Sequence, residues 1–188
     1  MNETIKDEAL LESARRGDQN AFLLLYERHR HRIFRFLFRF FGSAEIAEDM
    51  THDSFMTLVG GSESLQSHEP ALFRTRLYTI ARTLAMEYVR NWTKEPVMNN
   101  IAQNNVISTR KIPNNETHDA ELVSAIGKAV GGLPPLEREV LIFFEYEGLE
   151  LEEIAAIVGT NVGTVAARLD IARQRLRNVL ASLLFSNQ

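Results

Sequence analysis

Residues 133–180 read LPPLEREVLIFFEYEGLELEEIAAIVGTNVGTVAARLDIARQRLRNVL, and this stretch decides the fold of the C-terminal part of the chain. Two segments with apolar residues at helical spacing flank Gly159, which favours the left-handed conformation that ends a helix. Ala155 allows a close approach between the two helices, and Val165 is predicted to pack the second helix against the first. The pattern predicts a helix-turn-helix, a motif whose second helix enters the major groove of DNA.

The amino-acid composition excludes several classes of protein. The chain has 188 residues, of which 45% are hydrophobic, so it has enough apolar material for one domain or two small ones. It contains no cysteine, which excludes disulfides, thiolate zinc sites and thiol-based redox sensing. Its sequence shows no clustered histidines, no phosphate-binding glycine loop and no nucleophile paired with a base. We therefore expect no metal, no cofactor, no small-molecule substrate and no enzymatic activity.

The sequence carries no sign of a targeting signal or a membrane span. The first residues have no basic cluster followed by an apolar run. No stretch reaches the roughly 18 to 20 apolar residues that a membrane-spanning helix needs. We expect a cytoplasmic protein that does not insert into a membrane.

Charge is distributed unevenly along the chain, although the net charge is only −4. Residues 116–153 contain ten acidic residues and two basic ones, whereas residues 160–188 contain four arginines and one aspartate. Residues 74–94 contain five basic residues and one glutamate. Local basic patches on an acidic body are typical of a protein that touches DNA in two places without binding free DNA strongly.

The chain divides into three sections. The first and the last carry apolar residues at helical spacing, and no stretch alternates convincingly as a strand does. Residues 96–117 contain two prolines and six asparagines without a sustained period, which is typical of a linker. We predict an all-α protein with an N-terminal helical bundle at residues 1–95, a flexible linker at 96–117 and a four-helix C-terminal helix-turn-helix domain at 118–188.

Capping residues, prolines and glycines predict where individual helices begin and end. The expected helices cover 21–41 between Asp18 and Gly42, 44–60 after Ser43, 70–92 from Pro70, then 134–148, 150–158 and 162–183. In the last helix, apolar residues that recur every three or four positions form the expected buried stripe. They are Val165, Leu169, Ala172, Leu176 and Val179.

Four segments, in this order, resemble a known family. They are DQNAF at 18–22 with Leu25 and Tyr26, AEDMTHDSF at 47–55, FRTRLYTIAR at 73–82, and LPPLEREVL at 133–141 followed by EIA at 153–155, VGTV at 162–165 and RL at 168–169. Together with the asparagine-rich linker, this pattern resembles a bacterial RNA polymerase sigma factor of the extracytoplasmic-function (ECF) class, sigma-70 family. The resemblance covers nearly the whole chain and implies that core RNA polymerase and promoter DNA are its partners.

The acidic segment is the candidate contact with polymerase. Asp49 and Asp53 lie four residues apart and share one face of a helix, with apolar residues on neighbouring turns. Spacing alone favours a solvated acidic face, whereas the resemblance implies a contact with the polymerase clamp. The candidate contact residues are Glu48, Asp49, His52, Asp53 and Phe55.

The segment from Phe73 to Trp92 interleaves arginines with aromatic rings. This combination suits unpaired DNA because cations follow the phosphates and rings stack on bases. The alternative is that the rings belong to the bundle core and the arginines are merely solvated. The resemblance implies a contact with the promoter −10 element, although the family usually has Trp at the position of Arg76 and Asn at that of Thr83. The candidate −10 residues are Arg74, Arg76, Tyr78, Arg82, Thr83 and Arg90.

The resemblance assigns the second helix of the helix-turn-helix to the promoter −35 element. Arginine near the start of such a helix reads guanine, and threonine and backbone amides there suit phosphate. For Arg175, a solvated position favoured by the helix dipole is an equal alternative. The candidate −35 residues are Arg138, Thr160, Gly163, Thr164, Ala167, Arg168, Ile171 and Arg175.

We therefore predict an alternative sigma factor that directs core RNA polymerase to promoters and is controlled by an anti-sigma factor. The resemblance alone implies this last partner, which we expect to be membrane-anchored, and a free form that is autoinhibited or clamped. Two alternatives stay open, namely a sigma-like mimic that titrates an anti-sigma factor and a stand-alone helix-turn-helix regulator. Four residues that reduce the basic charge of the recognition helix leave room for the mimic, whereas Arg74, Arg82 and Arg168 indicate that DNA contact persists. The acidic first section speaks against the regulator. The four residues of the recognition helix are Ala166, Ala167, Asp170 and Ile171.

Overall fold

The computed structural model describes residues 5–61, 72–92 and 117–185. These residues form eight α-helices and one π-helical turn, with no β-strand among them, which confirms the predicted all-α class. The helices are α1 (Asp7–Arg15), α2 (Gln19–Phe41), α3 (Ala44–Gly60), α4 (Phe73–Trp92), α5 (Thr117–Gly131), α6 (Pro135–Leu141), α7 (Leu151–Val158) and α8 (Val162–Phe185), and the π-helical turn spans Ile142–Tyr146.

The predicted capping residues of the N-terminal half, α1–α4, lie where the sequence places them. The Asp18 carboxylate accepts hydrogen bonds from the first backbone N–H groups of α2, and Gly42 ends that helix with a φ of 72°. The Ser43 hydroxyl accepts a hydrogen bond from the backbone N–H of Ile46 and so begins α3. Helix α1 is not among the predicted helices. Pro70 and residues 96–116 of the linker predicted at 96–117 lie outside the described residues, and Thr117 begins α5.

Helices α2, α3 and α4 pack together, and α1 lies against α2 and α3. Three ring contacts between α2 and α4 show that these two helices run in the same direction. His29 contacts Phe73, Phe36 contacts Tyr78, and Phe41 contacts Tyr88. The resulting core buries large rings from three helices, which are Phe36, Phe40, Phe55 and Tyr78.

The C-terminal half, α5–α8, contains the predicted helix-turn-helix. Gly159 lies between α7 and α8 with a φ of 69°, as its place in the sequence predicts. Val165, Leu169 and Ala172 are buried, but Val179 is exposed, so the buried stripe of α8 is shorter than predicted. The helix predicted at 134–148 is also not uniform, because it changes from α to π geometry at Ile142.

The two halves pack against each other. Their buried apolar residues form one continuous cluster, in which α4 lies against α7 and α2 lies against α5, α6 and the π-helical turn. Phe143, from the π-helical turn, stacks on Phe36 with ring centroids 4.6 Å apart and meets Tyr78 edge-on at 5.5 Å. Within the described ranges, no single helix is long and apolar enough to cross a membrane, while α7 and α8 reach that length and composition only as a pair bent by 101°.

Candidate nucleic-acid and polymerase interfaces

One face of α4 carries a row of hydrogen-bond donors, Arg74, Tyr78 and Arg82. They are spaced four residues apart, so they lie on successive turns of the same face, about 6 Å from one another along the helix axis. This face points at the C-terminal half, where each donor meets one glutamate. We call these three acceptors, Glu139, Glu147 and Glu153, the glutamate row.

The Arg82 guanidinium holds the Glu139 carboxylate with two hydrogen bonds. Nε donates to Oε2 over 2.8 Å, and Nη2 donates to Oε1 over 3.2 Å. The Glu139 side chain is 0% exposed, and Arg168 of α8 lies 4.0 Å from its Oε1 atom. Burial raises the pKa of Glu139, while the hydrogen bond and the charges of Arg82 and Arg168 act in the opposite direction.

The Tyr78 ring is buried, so it is not available to stack on a base as the sequence suggests. Only its hydroxyl reaches the glutamate row, where it donates a 2.6 Å hydrogen bond to Glu147 Oε2. The other oxygen of Glu147 accepts a 3.4 Å hydrogen bond from Arg39 of α2. Burial and the Glu147 carboxylate raise the pKa of Tyr78, so its hydroxyl stays protonated as a donor.

Arg74 completes the row by pairing with Glu153 at the start of α7. The Glu153 carboxylate also accepts a hydrogen bond from the backbone N–H of Glu150 and caps the helix. Burial acts to raise the pKa of Glu153, but this hydrogen bond and Arg74 outweigh it and lower the pKa. All three donors of α4 are therefore occupied by carboxylates of the same chain.

The remaining −10 candidates on α4 do not take part in this row. Arg76 is half-buried, and the Thr83 hydroxyl donates to the backbone carbonyl of Thr79 over 2.8 Å. Arg90 is exposed near the end of the helix and lies 3.9 Å from Glu87. The structure therefore brings together three of the six candidates and leaves the other three apart.

Helix α8 presents its first turns to the surface. Asn161 caps it, because the Asn161 side-chain oxygen accepts hydrogen bonds from both the backbone N–H and the hydroxyl of Thr164. The backbone N–H and the hydroxyl of Thr164 therefore already have a partner. The other −35 candidates of this region differ in exposure. Gly163, Ala167 and Ile171 are exposed, and Thr160 and Arg168 are partly exposed.

Arg138 does not point to the surface as predicted. Its guanidinium donates to the backbone carbonyls of Leu133, Gly131 and Phe40, and lies 5.2 Å from the Phe40 ring. It therefore connects the end of α5 and the end of α2 to α6, and burial lowers its pKa. Four of the five guanidinium N–H groups of Arg138 are thus bonded within the chain, whereas the sequence predicts a contact with DNA. Arg175 lies 2.9 Å from Glu137 at the surface.

The acidic face of α3 is exposed at four of the five predicted positions. Glu48, Asp49, His52 and Asp53 are all exposed. Phe55 is 0% exposed, because it packs in the core with Tyr26 edge-on at 5.0 Å. Met56 is 52% exposed and lies three residues after Asp53, on the same face as Asp49 and Asp53.

Sequence reasoning missed the exposed methionine and the glutamate row. A count of helix turns from Asp49 through Asp53 indicates Met56, which is one turn further along the same face. The ten acidic residues at 116–153 indicate an acidic surface, but not which three carboxylates meet α4. Arg39 is one of several arginines in α2, and nothing else in the sequence marks it.

Comparison with known proteins finds two family models that match separate parts of the chain. The model of Sigma-70 region 2 matches residues 25–94, and the model of Sigma-70 region 4 matches residues 124–176. The first range covers most of α2 together with α3 and α4, and the second includes the helix-turn-helix.

Similar proteins cover nearly the whole chain. The ECF RNA polymerase sigma-E factor of Haemophilus influenzae is 30% identical over 192 aligned positions, which cover 98% of this chain and 100% of that protein. The ECF RNA polymerase sigma factor SigE of Mycolicibacterium smegmatis is 32% identical over 170 positions, covering 88% of this chain, which spans only 65% of that relative's length.

Two solved structures share the fold. CnrH, solved in complex with the cytosolic domain of CnrY, gives a TM-score of 0.66 at 23% identity and covers 94% of this chain and 97% of that one. The sigma factor RpoE from Bartonella quintana, solved in complex with the anti-sigma factor NepR, gives a TM-score of 0.63 at 22% identity and covers 85% of this chain and 96% of that one.

Proposed function

The chain belongs to the ECF RNA polymerase sigma factors, and on this premise we propose how its two halves recognise polymerase and a promoter. It is an alternative sigma factor, a factor that directs transcription initiation by core RNA polymerase. We infer that it acts by binding alone. The observation that carries the proposal is that one chain combines an acidic face on α3, a row of donors on α4 and an exposed recognition helix α8.

We propose that the acidic face of α3 docks on core polymerase. Its contact residues are Glu48, Asp49, His52 and Asp53, and Met56 supplies the apolar anchor in place of the buried Phe55. An exposed methionine between carboxylates suits a partner surface that is basic and partly apolar, because its flexible side chain adapts to irregular surfaces.

We propose that residues 1–95 and 118–188 act as separate domains on the promoter, joined by the linker at 96–117. The first captures the unpaired −10 strand with Arg74 and Arg82, and Arg76, Thr83 and Arg90 extend this surface. The second reads the −35 duplex with the start of α8, where Arg168 is the candidate for base recognition.

The packed arrangement of the two halves is incompatible with this activity, and we infer that it is the inactive form of the chain. The glutamate row covers the donors that would meet the −10 strand, so the halves must separate before that strand can bind. We propose that an anti-sigma factor controls this step, because both structural relatives were solved as complexes, one of them with an anti-sigma factor by name.

The proposal is tested by in vitro transcription with purified bacterial core polymerase and a library of promoter fragments. Initiation that depends on this chain would establish a working sigma factor and identify its promoter elements. Core binding without initiation on any fragment would favour the mimic. Duplex binding by the chain alone, without core binding, would point to a stand-alone regulator.

Reversing the charge of Asp49 and Asp53 together is expected to weaken binding to core polymerase by at least tenfold. Like charges brought together at an interface cost several kcal/mol, and both positions are exposed, so folding is expected to be unaffected. The measurement is a binding titration of Asp49→Lys/Asp53→Lys against core polymerase. The control is Glu12→Lys/Glu27→Lys, which changes the net charge equally on α1 and α2. Unchanged affinity in the first variant would refute the contact on α3.

Replacing Arg168 with alanine is expected to weaken promoter binding by about 10- to 100-fold, which corresponds to about 1–3 kcal/mol for a base contact. It should also abolish discrimination at one base pair of the −35 element. The measurement is holoenzyme binding to promoters with single substitutions in that element. Arg177→Ala is the control, because Arg177 is exposed on a later turn and bonds to Gln174 of its own helix. Retained discrimination at every base pair would rule out direct reading by Arg168.

A further inference from the structure

We propose that the N-terminal half contains a binding pocket for a single backbone phosphate of the unpaired promoter strand. Its two donors are the Arg39 guanidinium and the Tyr78 hydroxyl, and Glu147 fills it in the closed chain. The inference rests on the proposed function, and it assigns a ligand to two side chains that belong to different helices. We call this site the Arg39–Tyr78 pocket.

In the closed chain, the Glu147 carboxylate occupies the pocket as a bound anion would. The Glu147 side chain is only 2% exposed, and each of its carboxylate oxygens accepts a hydrogen bond from a different helix of the N-terminal half. The Tyr146 ring lies 4.6 Å from the Arg39 guanidinium and covers it from the side of the C-terminal half. Both Tyr146 and Glu147 leave with that half when the chain opens. The donors that remain belong entirely to α2 and α4.

The surroundings of the pocket are cationic. Arg32 of α2 and Arg74 of α4 both lie near enough to the Tyr78 hydroxyl to favour its anionic form electrostatically. The positive charge that acts on the Tyr78 hydroxyl therefore comes from arginines of two helices, and among its described hydrogen bonds the hydroxyl has no carboxylate partner from the N-terminal half. When the chain opens, both donors lose the Glu147 carboxylate and face water, so they are available to bind another anion with the charge-assisted hydrogen bonds that Glu147 accepts in the closed chain.

The chemistry of the donors and their place on α4 favour a phosphate over a base. The Tyr78 ring packs edge-on against Phe36 of the N-terminal half, a contact that remains when Phe143 leaves with the C-terminal half, and its hydroxyl is the atom that binds the carboxylate in the closed chain. Arginine and a tyrosine hydroxyl are common partners of backbone phosphate oxygens. The pocket is also the middle member of the α4 row, between Arg74 and Arg82, which the proposed function assigns to the same DNA strand. The three glutamates thus occupy the positions of three successive anions.

The test uses holoenzyme assembled from the full chain and core polymerase on a forked promoter identified by the transcription experiment. The non-template strand carries a neutral methylphosphonate at one −10 phosphate at a time. For the wild-type chain, we expect one position at which this change weakens binding about tenfold. Tyr78→Phe and Arg39→Gln should each weaken binding to the unmodified strand by a similar factor and should no longer respond at that position.

The expected weakening is diagnostic because both substitutions also release Glu147. Release of Glu147 by itself loosens the contact between the halves, and this would strengthen DNA binding. Weaker DNA binding by these variants therefore indicates that a contact with DNA has been lost. Arg30→Gln is the matched control: Arg30 lies nine residues before Arg39, on the opposite face of α2, and pairs with Glu27. This variant should keep the wild-type response at every phosphate.

Two outcomes would overturn the pocket. One is a wild-type chain that responds to no single methylphosphonate, and the other is a response that survives in both Tyr78→Phe and Arg39→Gln. Neither outcome bears on whether the chain is a sigma factor, because the experiment uses only a promoter from which the chain already initiates transcription. Failure of the wild-type chain to initiate on any fragment would instead refute the proposed function.

Discussion

Replacing Phe143 with alanine is expected to lower the free energy of unfolding by about 3–5 kcal/mol and to separate the two halves of the chain. The Phe143 ring is fully buried and lies between Phe36 of α2 and Tyr78 of α4. Its removal leaves a cavity at the centre of the contact between the halves, because the neighbouring helices are held by other contacts and collapse only in part. The measurements are a urea titration and the radius of gyration from small-angle X-ray scattering.

The neighbouring ring provides the control for this prediction. Phe144 is only partly buried, and its ring lies 5.1 Å from the Arg173 guanidinium, away from the N-terminal half. Phe144→Ala is expected to cost less than half as much stability and to leave the radius of gyration unchanged. If the two variants behave alike in both measurements, Phe143 does not hold the halves together.

Replacing Arg82 with alanine is expected to destabilise the closed chain by about 3–5 kcal/mol, because it leaves a buried carboxylate without its main partner. Glu139 would retain only Arg168, whose nearest nitrogen is 4.0 Å away. Glu139→Gln should cost less, since it removes the buried charge and keeps a side chain of nearly the same shape. The measurement is urea unfolding of Arg82→Ala, Glu139→Gln and the double variant. Equal losses in the two single variants would show that the buried charge is not the cause.

The loss of folding stability caused by Arg82→Ala should depend on pH. Burial already raises the pKa of Glu139, and removal of Arg82 takes away an interaction that lowers it. An acid with a raised pKa in the folded state holds its proton more tightly there, so its stability is greatest below the unfolded pKa and declines as pH rises through the folded pKa. As pH rises above the ordinary pKa of a glutamate, Arg82→Ala should therefore lose more stability than the wild type. The double variant Arg82→Ala/Glu139→Gln has no carboxyl group at position 139, so it should lack this pH-dependent loss of stability.

Glu139→Gln also separates stability from function. It leaves Arg82 intact and weakens the contact that holds Arg82 against the C-terminal half. A chain in which Arg82 is released but unaltered should bind an unpaired −10 strand more readily, whereas Arg82→Ala should not. The comparison distinguishes the loss of a closed conformation from the loss of a DNA contact.

The residues that cap helices and form the helix-turn-helix were predictable because their signals are local. Asp18, Gly42, Ser43 and Gly159 act through their own side chains or their own φ angles, within one turn of the residue they affect. The spacing of apolar residues in α8 likewise predicted three of its buried positions. The order of the four segments was then enough to indicate the family, which the comparisons confirm.

The sequence predicted the face of a helix better than it predicted which neighbouring residues are buried. Phe55 and Met56 are adjacent apolar residues of α3, and the sequence does not indicate which of the two side chains is buried in the core of the N-terminal half. The change from α to π geometry at Ile142 was also not predicted, and it occurs in the segment from which Phe143 and Glu147 contact α2 and α4.

By itself, therefore, the sequence determined most of the helices and several of their ends, the helix-turn-helix and the family of this protein, but not α1 or the bounds of α5. Only the tertiary structure decided that Arg74, Tyr78 and Arg82 meet Glu153, Glu147 and Glu139, across 57 to 79 residues of chain. The physical reason is that helix periodicity relates residues three or four positions apart, whereas pairing between distant helices depends on how their buried faces pack. Carboxylates that make the C-terminal half acidic in sequence become, in the folded chain, the acceptors that cover the α4 donors that we propose contact DNA.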